Sequence, residues 1–121
     1  MKQSFVQCAE IVLEADGDPA APGGAVTIAL CGSWDHDGPC RWPHHTSAAW
    51  DEERGRVRVV FAVEAEDEMR VRGLIEWAIK GGECTGPGGK VSRWETLSCS
   101  AGVLAGDEVE LAARIAAMPE K

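Results

Sequence analysis

The stretch that most constrains this chain is Arg56–Glu64, RVRVVFAVE. In an extended backbone successive side chains point to opposite faces, so Val57, Val59, Phe61 and Val63 share one face. Arg56, Arg58 and Glu64 lie on the other, together with Val60 and Ala62, so that second face is expected to be partly covered as well. Only a sheet packed against something else satisfies such a strand. The packing element follows at once. Across Asp67–Lys80 the apolar residues Val71, Leu74, Ile75, Ala78 and Ile79 recur at the spacing of one helical stripe. Glu66, Asp67 and Glu68 suit the positive end of the helix dipole, and Lys80 followed by Gly81 and Gly82 suits its stop. Trp77 sits on the flank of the stripe, where it would close the seam between helix and sheet.

The remaining elements are read in the same way. Phe5–Glu14 alternates well enough for a strand. Asp16–Gly24, DGDPAAPGG, reads as a turn region rich in Pro and Gly. Ala25–Cys31 places Val26, Ile28 and Leu30 against Ala25, Thr27 and Ala29, and predicts a second strand antiparallel to the first. Gly86–Gly89 is a connection. Val91–Cys99 predicts a fourth strand, with Trp94 on one face and Leu97 on the other. Asp107–Met118 predicts a second helix, started by Asp107 with Glu110 three residues on, and stopped by Pro119. The expected order is β-β-β-α-β-α in one α+β domain over residues 1–121. That is a two-layer arrangement, with a four-stranded, mainly antiparallel sheet and two helices on one face. It differs from the β-α-β-β-α-β order of a ferredoxin-like fold.

Between these elements lies Gly32–Gly55, which shows no period. Structureless loops beyond roughly 12–15 residues are uncommon in compact domains. This one holds Trp34, Trp42 and Trp50 of the five tryptophans, and all three histidines. Disordered linkers are poor in aromatics, so something is expected to fix the segment. Cys31, His36, Cys40, His44 and His45 supply thiols and imidazoles, the preferred ligands of tetrahedral zinc, at gaps that let the backbone turn around an ion. Four of these would ligate, with either His44 or His45 completing the set, and Asp35 or Asp37 could stand behind a ligand. Two other readings stay open: a metal-free loop packed through its tryptophans, and a Cys31–Cys40 disulfide. The paired C-x2-C units of zinc ribbons are missing. Trp34, Arg41, Trp42 and Trp50 are the residues expected to face a protein or small-molecule partner, since Trp and Arg dominate binding hot spots.

Charge narrows the field further. Twenty acidic residues against twelve basic ones give a net charge of −8, which disfavours nucleic acid and anionic membrane as partners. Arg54, Arg56 and Arg58 would form a basic ridge on one sheet face. With Asp51, Glu52 and Glu53 just before it, a solvated and internally compensated face is the favoured reading. No run approaches a membrane span. Gln3, Gln7, Glu10 and Glu14 interrupt the N-terminal segment, so a cleaved secretory signal is not expected and a cytoplasmic location is. Cys8, Cys84 and Cys99 read as independent thiols, Cys84 the most exposed. No phosphate loop, dinucleotide fingerprint or nucleophile elbow is present; GPGGK at 86–90 lacks the Walker spacing. The leading expectation is a non-enzymatic interaction domain with a structural zinc. The alternatives are a small metal-dependent hydrolase in which Asp35 or Asp37 acts as base or Cys40 as nucleophile beside His36 or His44, and a metal-free ligand-binding module.

Overall fold

A computed structural model describes residues 2–31 and 42–117. Eight main elements follow one another: β1 (Lys2–Leu13), α1 (Ala21–Cys31), β2 (His44–Asp51), β3 (Arg54–Glu64), α2 (Glu68–Lys80), β4 (Glu83–Thr85), β5 (Val91–Gly102) and α3 (Val109–Ala116). Short 3-10 turns lead into α2 and α3. The strands form one antiparallel sheet in the order β2-β3-β1-β5-β4. The α+β class and the antiparallel sheet agree with the expectation; the described residues form five strands and three helices where four and two were expected.

Two local readings account for the difference. Ala25–Cys31 is not a strand but the body of α1. Its β-branched run Val26-Thr27-Ile28 imitates a strand over a short window, yet Ala21, Ala25, Val26 and Leu30 are buried on one helical side. Pro22 is tolerated in the first turn, where its missing N–H has no partner to lose. Upstream, the Asp18 carboxylate accepts from the Ala20 N–H at 2.9 Å and the Asp18 carbonyl from Ala21 at 2.9 Å. Conversely, the expected loop at 32–55 contains β2. Its sequence HHTSAAWD shows no apolar alternation because it is an edge strand of mostly small side chains. With these two changes the chain runs β1-α1-β2-β3-α2-β5, and the order β2-β3-β1-β5 is the split β-α-β connectivity that the sequence reading excluded. The short β4 and the final α3 are additions to it.

The helices do not share one face. The main core places Ala9, Ile11, Leu13, Val57, Val59, Phe61 and Val63 of the sheet against Val26 and Leu30 of α1 and Val71, Ile75 and Ile79 of α2. On the opposite face, Val6, Val60 and Ala62 pack under Ala112 and Ile115 of α3. The second apolar parity of β3 is thus explained by α3, which covers one end of that face and leaves the rest open. Trp77 is 73% exposed and closes no seam; Trp94 fills that place, its indole donating to the Ile79 carbonyl at 2.8 Å. At the start of α3 the carboxylate that reaches back is Glu108, accepting from the Ala105 N–H at 2.8 Å, and not Glu110. Cys84 is buried, which pushes its thiol up from the ordinary value. Among the described residues no helix is long and apolar enough to cross a membrane.

Candidate functional site

Of the expected metal ligands, Cys31, His44 and His45 are among the described residues. Cys31 lies at the end of α1 and is disulfide-bonded, while Cys8, Cys84 and Cys99 are free thiols. His44 points toward α1 from the inner side of β2, with Nδ1 3.9 Å from Cys31 Sγ. Both its ring nitrogens already face oxygens: Nε2 is 3.2 Å from Thr27 Oγ1, and Nδ1 is 3.1 Å from the Trp42 carbonyl. Thr27 in turn donates to the Gly23 carbonyl at 3.1 Å, tying β2 to the helix. His45, one residue on, faces the opposite side of the sheet and is exposed, so of the two histidines only His44 lies on the side of Cys31. His36, Cys40, Trp34 and Arg41 fall outside the described residues. Among the described residues no group of three or more His, Cys, Asp or Glu side chains is gathered as a metal site requires.

Of the tryptophans expected at a binding surface, Trp42 and Trp50 are among the described residues. Trp42 is buried at the edge of the main core, with the Arg70 guanidinium 5.2 Å above its ring. Trp50 is half-buried and lies over Gly55 of β3, directly opposite it in the register. A Cβ on Gly55 would come within 2.6 Å of the ring, so the glycine is what lets the indole lie flat on the strand.

The open part of the sheet carries the polar chemistry. Reading across the strands, one row runs Ser47, Arg58, Cys8, Ser100 and the next Ala49, Arg56, Glu10, Ser98. Small side chains on β2 and β5 thereby flank two arginines, and a groove of about 530 Å³ lies over them. A second depression of about 420 Å³, lined by Glu10, Ala49, Arg56 and Arg54, continues it toward the β2–β3 turn. A register shift in β5 opposite Glu10 and Ile11 marks a bulge in the floor, which increases local twist.

The three arginines of the ridge differ. Arg58 is held at one wall: Nε and Nη2 donate to the two Glu108 oxygens at 2.9 and 2.6 Å, Nη2 also donates to the Val103 carbonyl at 2.7 Å, and Nη1 to Cys8 Sγ at 3.5 Å. This paired guanidinium holds the Glu108 carboxyl down to about 2, against an ordinary 4.5, with the Ala105 N–H assisting. Arg54 lies 3.7 Å from Glu10. Arg56, exposed between them, has no ion-pair partner among the described residues. The ridge is therefore compensated at both ends and uncompensated in its middle. The ridge is visible in the sequence but the groove is not, because Ser100 of β5 lies beyond the expected end of that strand at Cys99. Glu108 was also missed; its distance of 50 residues from Arg58 leaves no local signal.

No known protein family, curated protein or solved structure matches this chain.

Proposed function

We propose that this is a non-enzymatic binding domain whose open sheet face takes a small ligand bearing a carboxylate. One observation supports this above the others: the Arg56 guanidinium has no ion-pair partner among the described residues and stands in a groove whose neighbouring positions are Ser47, Ala49, Ser98 and Ser100, side chains too short to fill it. A planar guanidinium matches a carboxylate through two parallel hydrogen bonds, a geometry that lysine does not provide. Serine hydroxyls and the nearby Glu10 carboxylate supply acceptors for a hydroxyl or amino group on the same ligand. Ligand sites of a few hundred cubic ångströms with a few convergent polar groups are the common form of small-molecule pocket.

Calorimetric titration with small hydroxy- and amino-carboxylates, each compared with its amide, tests the reading. Arg56→Ala should weaken binding about 10-fold or more, the scale of one charge-assisted pair, and Arg56→Lys should restore only part of it. Absence of binding by every carboxylate, or equal binding by acid and amide, removes the proposal.

A second reading keeps zinc at Cys31 and His44, favoured by the 3.9 Å that separates their side chains. A sulfur engaged in a disulfide is not a thiolate, so metal uptake would follow reduction. Elemental analysis of the reduced protein, before and after His44→Ala, decides it: one equivalent of zinc lost on substitution supports the reading, and no metal at full reduction sinks it.

A further inference from the structure

The eight-residue β2 forms one edge of the sheet, and among the described residues no further strand pairs with it there. Its pairing with β3 follows one constant register from His44↔Phe61 to Asp51↔Arg54, without a bulge, and the strand contains neither Lys nor Pro. These are the usual devices that stop an edge from recruiting another strand. The direction of its backbone groups follows from one bond. The Ala62 N–H donates to the Pro43 carbonyl at 3.0 Å, so residues 45, 47, 49 and 51 turn their N–H and C=O groups toward β3. Thr46, Ala48 and Trp50 must then point theirs outward, where no partner meets them among the described residues. Ser47, Ala48 and Ala49 are exposed, with short side chains that do not hinder approach.

We infer that β2 pairs antiparallel with β2 of a second copy of this chain, about a two-fold axis through Ala48, joining two sheets edge to edge. The strand is complementary to itself in this register. Directly opposed residues in an antiparallel pair share a face, so the axis must pass through a residue and not between two. Through Ala48, the axis sets Ala48 against the partner's Ala48, Ser47 against the partner's Ala49 and Thr46 against the partner's Trp50. The outward backbone groups of Thr46, Ala48 and Trp50 then form the hydrogen-bonded pairs. On the open face the same register places His45 opposite the partner's Asp51, and by symmetry the reverse, giving two cross-strand pairs of a carboxylate with an imidazole. An axis through Ser47 would oppose His45 to Ala49 and leave Asp51 beyond the strand, so charge selects Ala48. The contact is isologous and closes at two copies. Ser47 and Ala49 line both the groove and this edge, so pairing extends the floor of each groove into its neighbour.

Sedimentation equilibrium over a range of concentrations, without ligand, tests this separately from carboxylate binding. The expected result is a doubling of mass that saturates at the dimer. Ala48→Pro removes an outward N–H that bonds nothing among the described residues, and Pro is tolerated on such an edge, so the variant should keep the wild-type circular dichroism and sediment as a monomer. His45→Glu sets like charges opposite each other at both ends and should weaken dimerisation about 10-fold or more; adding Asp51→Lys should restore it. A wild type that remains monomeric, an assembly that grows past two, or a mass unaffected by His45→Glu overturns the inference. If Ala48→Pro fails to fold, the His45 and Asp51 variants decide alone.

Discussion

Replacing Glu108 by Gln changes one atom of the bond network that holds α3 to the sheet and removes its charge. The native carboxyl titrates at about 2 in place of 4.5, because it accepts two hydrogen bonds from Arg58 and one from the Ala105 N–H. At about 1.4 kcal/mol for each unit, the full depression corresponds to about 3 kcal/mol of stability. The Glu108 side chain is 12% exposed but that of Arg58 is 34% exposed, so water screens part of the attraction, and a loss of about 1–2 kcal/mol is expected at neutral pH. The sign follows from the direction of the shift. A carboxyl depressed in the folded state stabilises above its unfolded value and loses that contribution as pH falls toward the folded one. The gap between wild type and Glu108→Gln should therefore be constant above about pH 5 and close between about pH 4.5 and 2. Urea unfolding across that range measures it. Amide exchange should accelerate first in α3, since eight residues cannot hold a helix without tertiary packing. A gap that is absent at neutral pH, or undiminished at pH about 2, refutes the reasoning.

Two further substitutions probe the β2–β3 hairpin. Glu52 adopts φ 54°, a left-handed conformation that costs a non-glycine residue energy, so Glu52→Gly should raise stability by up to about 1 kcal/mol in thermal unfolding. Gly55→Ala should lower it by about 1–3 kcal/mol, because the new methyl meets three ring carbons of Trp50 at 2.6–2.9 Å, and a red shift of tryptophan emission should accompany the displaced indole.

The same hairpin explains why its first strand escaped the sequence. Turns of two residues are usually announced by Asn-Gly or Asp-Gly, whereas here the turn is Glu52-Glu53, ordinary surface residues of which Glu52 is held at positive φ where Asp51 pairs with Arg54. α1 escaped for a different reason. Gly23, whose missing side chain lets Thr46 of β2 approach to 3.4 Å from where a Cβ would stand, breaks the helical pattern, and the branched run after it reads locally as extended. With one strand hidden and one helix inverted, a split β-α-β connectivity looked like a simple meander.

The candidate sites show the same division. The cluster of Cys, His and Trp was plain in the sequence; His36, Cys40 and Trp34 lie outside the described residues, and of the two described histidines His44 is the one that comes within 3.9 Å of Cys31. Alternation along β2 sends His44 to Thr27 and Cys31 and His45 to the far side, and packing takes up Trp42 and Trp50. Arg54, Arg56 and Arg58 were visible as a ridge. That Arg58 is claimed by Glu108 while Arg56 is not depends on a helix arriving from the other end of the chain.

What the amino-acid order determined by itself is each strongly periodic segment: β3 with two apolar parities, the α2 stripe, and the acidic balance of the surface. Periodicity is a local property, set by a few residues and the pitch of the backbone. The tertiary structure alone decided which strand lies at the edge, which arginine goes unpaired and which histidine meets Cys31. Those depend on contacts between residues far apart in the chain, and no local pattern carries information about which distant group will arrive.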